Sequence, residues 1–329
     1  MKSNSALSLP PIDVRPPHND SKLVPTVFHE RWWLEITGEG AYEEVSVENG
    51  GRVVGRLPYR ITKRVGQSIL KMPILTYALG PAINVDSNDI SRVTTEFSII
   101  SRLISQLPPA AHIHMRLHRS LKSTMPFQAA GFETGVDFTV TVEPVPEDVL
   151  WKKMRDKNRN IIRRAAEKVE VRESFDGDAF ASLYENNIIA KSKRNSYSKA
   201  TLSAIVGETL SRGRGRIITA VDPGGEPHAA IFTAWDRNTE YYLLSTRKHE
   251  GINGSVNLLL WECIKRAHAC GRSFDMAGLH VVGPNFPNLH LLTGFGGEIN
   301  PVFFVRRTSA ALKLMRIIKQ RYWRQLSSA

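Results

Sequence analysis

Two motifs that each occur twice, in the same order, constrain the fold of this chain more than any other feature. A valine, an acidic residue and a glycine pair stand within residues 47–51, and the same pattern returns at 221–225. A Gly-Phe pair stands at 131–132 and again at 294–295. Around both motifs each half has one predicted order: hairpin, strand, helix, strand, short helix, Gly-Phe, strand. The repeat predicts a duplicated domain and an α/β (α+β) fold, in which each domain is a mixed, mostly antiparallel sheet flanked by helices.

The limits of the two domains follow from composition. Residues 1–23 are rich in proline, serine and asparagine and lack periodicity, so we expect a flexible N-terminal segment there. Pro144 and Pro146 separate the halves, which gives a first domain at 24–145 and a second at 146–307. Residues 308–329 are predicted to form a basic amphipathic C-terminal helix. Hydrophobic residues make up 42% of the chain, enough for a packed core.

Apolar periodicity, caps and turn residues predict the elements of each half. The first half has a hairpin at 43–61, a strand at 73–81, a helix at 90–107, a strand at 112–117, a short helix at 125–130 and a strand at 137–142. The second half has one long helix at 149–168, helices at 178–191 and 199–211, a hairpin at 216–235, a strand at 240–246, a helix at 255–270, a strand at 273–277, a short helix at 289–293 and a strand at 302–306.

The charge balance and the cysteines narrow the class of protein. The net charge is +12 and the pI about 9.8, which favours anionic partners such as nucleotides, coenzyme A, phosphates, RNA or an acidic membrane surface. Cys263 and Cys270 lie too far apart on one predicted helix for an unstrained disulfide. No apolar run approaches the ~20 residues of a membrane span, and no signal-peptide core is present. We therefore expect a cytoplasmic protein, and the sequence shows no metal-binding pattern.

Several segments of the second half resemble the Fem-like branch of the GNAT superfamily, which includes peptidoglycan-bridge aminoacyltransferases and acyltransferases of polysaccharide clusters. The segments are Leu150-Trp151 with 159–165, 259–262 with Ala267 and Gly271, 274–278, and 295–298. The resemblance extends from about residue 24 to 306. It implies two tandem GNAT-like domains and acyl-CoA, most simply acetyl-CoA, as donor substrate. In that fold the amides at the start of a central helix hold the coenzyme A pyrophosphate.

A glycine-containing loop before the helix at 255–270 is the candidate donor site. Glycines let backbone N–H groups turn toward phosphate, and the helix dipole adds to the attraction. The alternative is an ordinary glycine turn with a serine cap. In the first half the corresponding place contains Pro81, which removes an N–H donor, so no donor site is expected there. The predicted donor-binding residues are Arg247, Lys248, Gly251, Asn253, Gly254 and Ser255.

Amide formation needs a base for the attacking amine and an acid for the leaving thiolate. Asp275 ends a predicted strand where such sheets open, His280 lies in the following loop, and His290 stands four residues before Gly294. A neutral imidazole serves as either acid or base near pH 7. The alternatives are that Asp275 braces a turn and that His290 is a surface residue.

Two basic clusters are candidate acceptor-binding residues: Arg159 and Arg163 on the predicted helix 149–168, and Lys193 and Arg194 before Tyr197. They could form an anion-binding wall for a nucleotide-sugar or for tRNA. The alternative is a solvated, internally paired helix.

Three functions remain open at this stage. The first is an N-acyltransferase acting on an amine, with an amino sugar of a nucleotide- or lipid-linked polysaccharide or cell-envelope precursor implied by the resemblance. The second is an aminoacyl-tRNA-dependent Fem-type transferase, disfavoured because no long helical arm fits within 199–215. The third is a non-catalytic scaffold. The basic C-terminal helix could also contact an anionic membrane, or instead pack on the second domain.

Overall fold

The computed structural model describes residues 22–64, 66–86, 90–192, 195–278 and 289–314, and its strands form one continuous sheet. The strands of the first half are β1 (Tyr42–Asn49), β2 (Arg52–Arg64), β3 (Gln67–Lys71), β4 (Ala82–Ile83), β5 (His112–Arg116) and β6 (Glu133–Val142). Those of the second half are β7 (Glu170–Ser174), β8 (Gly215–Val221), β9 (Pro227–Trp235), β10 (Thr239–Arg247), β11 (Ser273–Asp275) and β12 (Glu298–Thr308).

Helices cover both faces of the sheet. They are α1 (Arg31–Gly38), α2 (Arg92–Ser105), α3 (Met125–Ala129), α4 (Glu147–Lys153), α5 (Asp156–Ala166), α6 (Gly177–Ala190), α7 (Lys199–Ser211), α8 (Ser255–Ala269) and α9 (Leu289–Leu292). Within the described ranges none of them is long and apolar enough to cross a bilayer. The repeated order predicted for the two halves is confirmed, since a hairpin, a strand, a helix, a strand, a short helix and a last strand recur in each.

The two halves exchange their last strands at the centre of the sheet. The strand order is β1-β2-β3-β5-β12-β6-β11-β10-β9-β8-β7, with β4 beside β2. Strand β12 of the second half pairs with β5 of the first, and β6 of the first half pairs with β11 of the second. Strands β6 and β12 also pair with each other along nine residue pairs. The part of the sheet built by each half therefore includes the last strand of the other half. The domain limit at 145/146 remains a prediction.

The predicted strand at 73–81 is wrong. The strand lies earlier, at β3, and pairs with β2 and β5. Beyond it Leu75 takes a left-handed conformation with φ 56°, which no strand accommodates. In this segment Leu79 makes an isolated bridge to Leu117. Pro73 and Pro81 lack the N–H groups that a ladder needs, which explains why an apolar stretch here does not extend the sheet.

The predicted single helix at 149–168 is also wrong, because the chain breaks between α4 and α5. Met154 and Arg155 have extended ψ angles of 143° and 137°. The guanidinium of Arg159 donates to the carbonyls of Trp151, Lys152 and Met154 at 3.0–3.1 Å. It satisfies carbonyls that the end of α4 leaves without helical partners. Helix α1 and strand β7 were not predicted.

The core is divided between the two faces of the sheet. Helices α5 and α8 cover one cluster, in which Leu259, Ile264 and Phe274 are fully buried. Each such side chain contributes about 1.5–3 kcal/mol by leaving water. The other cluster contains Phe28, Trp33 and Tyr241 and spans both halves. Phe274 and Met276 point toward α8, and side chains alternate along a strand. Asp275 between them therefore faces the cluster on the opposite side.

Candidate active site

Strands β10 and β11 run parallel and then diverge. They pair from Thr239–Ser273 to Tyr241–Asp275. Beyond this point β10 continues to Arg247 paired with β9, while the chain after Asp275 turns away through Ala277 and Gly278, both with positive φ. Six residues of strand at about 3.3 Å each give the opening a length of about 20 Å, and α8 begins at its far end. Such openings beyond the carboxyl ends of parallel strands are common ligand sites.

A bulge in β10 lies just inside the opening. The register between β10 and β9 shifts between Tyr242 and Leu244. A bulge leaves one residue outside the regular ladder and redirects its backbone groups. The Leu243 backbone is therefore placed to interact with a ligand in the opening. The sequence carries no local signal for this feature.

Asp275 lies at the base of the opening and is fully buried. Its Oδ1 accepts hydrogen bonds from the Thr139 hydroxyl at 2.5 Å and from the Ala277 N–H at 2.8 Å. Its Oδ2 has no hydrogen-bond partner among the described residues, and Arg119 Nη1 approaches it at 4.0 Å. Burial raises the pKa of Asp275, and the Thr139 hydrogen bond opposes this shift. A buried carboxylate with one oxygen unbonded is suited to accept a proton.

Tyr77, which belongs to the first half of the chain, lies near Asp275. Its hydroxyl is buried and makes no hydrogen bond to a described residue. Burial raises the pKa of Tyr77, the Asp275 carboxylate raises it further, and the nearby Thr139 hydroxyl opposes the shift. The Arg116 guanidinium lies 5.2 Å from the Tyr77 ring centroid and pairs with Asp137 at 2.7 Å. A protonated tyrosine hydroxyl near a buried carboxylate can relay a proton between that carboxylate and a ligand.

Sequence reasoning missed Tyr77, Arg116, Arg119 and Thr139. All four precede residue 146, whereas the site was predicted within the second half. These four residues lie near Asp275 for two reasons. Strand β6 pairs with β11 of the second half, and the segment 73–81 packs beside the exchanged strand. Motif spacing contains no signal for either event.

The predicted donor loop is held by His228. The Ile252 N–H donates to Nδ1 of this histidine at 3.2 Å, and Nε2–H donates to Asp222 at 3.1 Å. The ring is thereby fixed in one tautomer. At the start of α8 the Val256 and Asn257 amides make no backbone hydrogen bond within the described chain. These amides, together with the helix dipole, fit the phosphate groups of an acyl-CoA.

The basic residues of the loop are partly engaged. The backbone carbonyl of Arg247 accepts a hydrogen bond from Lys191 Nζ at 2.6 Å, and the Arg247 side chain is exposed. Lys248 Nζ lies 3.7 Å from Glu226, with about half of its side chain exposed. Arg247 is therefore the better placed cation for a ligand phosphate, whereas Lys248 would have to share its charge with Glu226. Asn253 is exposed, and Ser255 caps the turn by donating to the Ile252 carbonyl at 2.8 Å.

Packing alone requires glycine at position 254. Its φ is 87°, and a Cβ there would lie 2.6 Å from Ile161 Cγ2 and 2.9 Å from the Ile161 carbonyl of α5. Gly251 is also tight, since a Cβ would lie 3.0 Å from the carbonyls of His228 and Lys248. Neither glycine is therefore diagnostic of phosphate binding.

We expect Gly254→Ala to lower the free energy of unfolding by about 2–4 kcal/mol, from left-handed strain and overpacking against Ile161. Urea denaturation measures it. Gly213→Ala is the matched control, because Gly213 has φ 61° and no atom within 4 Å of its Cβ position, so strain alone should cost about 1–2 kcal/mol. Equal costs would show that contact with Ile161 does not select glycine at position 254.

The structure does not join His290 to Asp275. His290 is exposed, and its Nδ1 accepts a hydrogen bond from Arg155 Nη1 at 3.1 Å. No hydrogen bond or ion pair within the described ranges links it to the buried carboxylate. His280, Lys193 and Arg194 lie outside the described residues.

The predicted acceptor residues on α5 have structural contacts of their own. Arg159 caps α4, as described above. The guanidinium of Arg163 lies 5.3 Å from the Trp151 ring centroid and donates to Asn160 at 3.3 Å. Arg163 is exposed and can still meet a ligand, whereas Arg159 is committed to the α4 carbonyls. In the part of the chain that the structure describes, no cluster of His, Cys, Asp or Glu is arranged to hold a metal ion.

Comparisons with known proteins concern the fold of the chain. The model of the acetyltransferase (GNAT) domain family matches residues 152–283. FemX superimposes with a TM-score of 0.64 at 12% identity, covering 84% of this chain and 90% of that one. The structure of L-PGS from Bacillus licheniformis gives a TM-score of 0.55 at 10% identity, covering 88% of this chain and 90% of that one. The C-terminal domain of a putative lysylphosphatidylglycerol synthetase from Agrobacterium fabrum gives 0.54 at 15%, covering 84% and 88%. No curated protein matches the sequence.

Proposed function

We propose that this GNAT-type acyltransferase, which has a Fem-like fold, moves an acyl group from acyl-CoA to an amine. Acetyl is the simplest acyl group, and an amino sugar of a polysaccharide or cell-envelope precursor is the proposed acceptor. The observation that carries the proposal is the buried Asp275 where β10 and β11 diverge, whose Oδ2 has no hydrogen-bond partner among the described residues and lies 4.0 Å from Arg119 Nη1. A carboxylate desolvated at the base of such an opening needs a ligand-side partner.

The chain offers one contact for each part of the donor. The Val256 and Asn257 amides and Arg247 would hold the phosphates at the far end of the opening. The opening runs about 20 Å along β10, which suits an extended pantetheine arm. The thioester would then lie near Tyr241 and Asp275. The Leu243 N–H at the bulge would stabilise the negative charge that develops on the carbonyl oxygen.

The proposed proton transfers balance within this site. The amine nitrogen bonds to the thioester carbon, and Asp275 Oδ2 accepts the proton that the nitrogen loses. The carbon–sulfur bond then breaks, Tyr77 donates its hydroxyl proton to the departing thiolate, and the proton held on Asp275 passes to the Tyr77 oxygen, so both groups return to their starting states. Because burial raises the pKa of Asp275, the group is a stronger base than an exposed aspartate, and the rate should rise with pH as it ionises.

The surroundings of the site suit an acceptor with negative charge. Arg119 lies beside Asp275 with its side chain 36% exposed, whereas Arg116 is paired with Asp137. Guanidinium groups bind phosphate with a fork geometry. A nucleotide- or lipid-linked amino sugar presents both an amine and phosphates, which is why we favour this acceptor class.

A membrane contact through the C-terminal segment remains a proposal. Residues 310–314 are helical, Lys313 Nζ donates to Glu133 at 2.6 Å, and Leu314 is 58% exposed. The bond between Lys313 and Glu133 supports docking of the start of this helix on β6. The exposed Leu314 side chain, in contrast, could contact a membrane. The residues beyond 314 lie outside the described part.

The second candidate function is transfer of an aminoacyl group from tRNA. The fold shared with FemX and with the C-terminal domain of a putative lysylphosphatidylglycerol synthetase keeps it open, and the net charge of +12 suits RNA. Parallel assays with labelled acetyl-CoA and labelled aminoacyl-tRNA, each with an amino-sugar acceptor, separate the two. Transfer from aminoacyl-tRNA alone would replace the proposed donor, and transfer from neither would favour the scaffold hypothesis.

We expect one acetyl-CoA site per chain, and about a tenfold loss of affinity in Asn253→Asp. A carboxylate at this exposed position would repel the donor phosphates. The same charge near the start of α8 stabilises the helix by about 0.3–1 kcal/mol, so affinity and melting temperature should move in opposite directions. Isothermal titration and thermal unfolding measure the two quantities.

Asn49→Asp is the control, since Asn49 is exposed at the end of β1 in the first half, outside the donor loop, and the variant should leave binding unchanged. Two equal sites per chain, or equal weakening by both variants, would contradict the assignment of the donor to the loop before α8.

A further inference from the structure

A cavity of about 540 Å³ lies between the two halves, apart from the opening at Asp275. It is bounded by α2, by the chain that follows β5 and by the turn 236–238 at the start of β10. The donor loop lies at the other end of β10. The volume is within the range of small-molecule sites. Apolar side chains form most of its wall: Val24, Ile83, Val85, Phe97, Ile100 and Leu121.

One buried polar atom in the wall lacks a partner. His118 is 4% exposed, and its Nε2 hydrogen-bonds to the Pro81 carbonyl at 2.9 Å. A carbonyl only accepts, so the proton is on Nε2 and Nδ1 is an acceptor. Nδ1 has no hydrogen-bond partner within the described chain. Burial lowers the pKa of His118 to about 4, so the ring is neutral at pH 7. A ligand with a hydrogen-bond donor would satisfy this atom.

The rim of the cavity is positively charged. It has four basic side chains, Lys22, Arg92, Lys122 and Arg237, and two acidic ones, Glu96 and Asp236. Both acids are engaged within the protein: Glu96 pairs with Arg92 at 2.7 Å, and Asp236 accepts the Tyr241 hydroxyl at 2.9 Å. Lys122 and Arg237 thus give the mouth a net positive charge that favours an anion.

The mouth is also apolar. Val93 is 71% exposed and Met125 is 53% exposed, and both line the cavity. Exposed apolar side chains around a cavity rimmed by charge are typical of a ligand-binding surface. A ligand that enters there would cover them.

We infer that this cavity binds a single-chain anionic amphiphile with a hydrogen-bond donor on its apolar chain, as in a hydroxylated fatty-acid anion. The anion meets Lys122 and Arg237, the chain lies on the apolar wall, and the donor reaches His118 Nδ1. The site is separate from the acyl-donor site, and the inference does not depend on the proposed acyl transfer.

The test measures binding of 3-hydroxydecanoate to the full chain by isothermal titration, below the concentration at which the probe forms micelles. We expect decanoate, which lacks the hydroxyl, to bind about fivefold more weakly, the effect of one hydrogen bond. Methyl 3-hydroxydecanoate, which lacks the charge, should bind at least about fivefold more weakly. Shortening the chain to 3-hydroxyoctanoate should weaken binding about fourfold for each methylene removed. Changing the ligand rather than His118 avoids a variant that loses the Pro81 hydrogen bond and fails to fold.

Two further arms locate the site. The double variant Lys122→Ser with Arg237→Ser should weaken the acid but not the methyl ester, whereas the distant Lys63→Ser should change neither. Saturating acetyl-CoA should not displace the probe. Equal binding of acid and ester, equal binding of decanoate and 3-hydroxydecanoate, or displacement by acetyl-CoA would overturn the inference. Displacement by phosphatidylglycerol vesicles would overturn the single-chain assignment in favour of a membrane lipid.

Discussion

Asp275→Asn lowers kcat for acyl transfer about 10²–10⁴-fold, the range expected for loss of a general base. The amide cannot accept the amine proton, yet it has nearly the shape of the carboxylate. Its oxygen can still accept the Thr139 hydroxyl and the Ala277 N–H that hold Oδ1 at present. Steady-state kinetics with acetyl-CoA and an amine acceptor measure the change, and KM for acetyl-CoA should move far less than kcat.

The same variant should lose activity without losing stability. Because the pKa of Asp275 is raised on folding, the folded state holds the proton more tightly than the unfolded state. Stability contributed by this group is therefore present below the unfolded pKa and is lost as pH rises through the folded pKa. The neutral asparagine side chain avoids the cost of burying a charged carboxylate at pH 7. Asp275→Asn should therefore melt at the same temperature as the wild-type protein or higher at pH 7. At pH 3 the difference should disappear.

His290→Ala is the comparison for this experiment. His290 is exposed and hydrogen-bonded to Arg155 rather than to any buried group. If Asp275 is the base, His290→Ala should retain most of the activity. Parallel losses of activity and melting temperature in Asp275→Asn would instead make Asp275 a structural brace, as its bonds to Thr139 and Ala277 also permit.

Local pattern was enough to predict most elements and the position of the candidate base. The predicted helices at 199–211 and 255–270 agree with α7 and α8 to within one residue, and α8 follows a glycine-containing turn and has a regular apolar stripe. Asp275 was identified because it ends a short apolar strand before Gly278. Each of these signals involves residues that are close together in the sequence. The regular geometry of a helix or a strand is then enough to relate them to the structure.

What could not be predicted depends on contacts distant in the chain. Strands β6 and β12 each have an alternating pattern that fits either half, so nothing in the sequence states that they exchange. Tyr77 belongs to a segment predicted as a strand, and its position near Asp275 follows from the packing of that segment beside the exchanged β6. Arg159 was expected at a ligand, but the break at Met154 and Arg155 exposes carbonyls that it caps instead.

The strand exchange also explains why one site draws on both halves. Asp275 pairs with Thr141 of β6, and Glu298 of β12 pairs with the same residue. The second half alone would therefore lack the strand beside its own catalytic candidate. Thr139, which holds Asp275 Oδ1, comes with that strand. A duplicated chain can in this way retain one chemical site while using the other copy to build its wall.

Tyr77→Phe should lower kcat with acetyl-CoA about 10²-fold, because the leaving thiolate loses its proton donor. The defect should shrink to less than about tenfold with an aryl thioester, whose more acidic thiol leaves without a proton. Stability should be unchanged or slightly higher, since the Tyr77 hydroxyl is buried without a hydrogen-bond partner among the described residues and its removal leaves no group unsatisfied. Kinetics with the two donors and thermal unfolding provide the three measurements.

Tyr241→Phe is the matched control, because Tyr241 lies in the same cluster, with its ring centroid 6.1 Å from that of Tyr77. Its hydroxyl donates to Asp236 at 2.9 Å, so its loss should cost about 1–3 kcal/mol of stability by leaving a buried acceptor short of a partner. It should not alter the dependence on the leaving group. If Tyr77→Phe slows both donors equally, Tyr77 shapes the site without donating a proton. A defect that depends on thiol acidity in Tyr77→Phe alone assigns the proton to Tyr77, since packing and desolvation are common to both tyrosines.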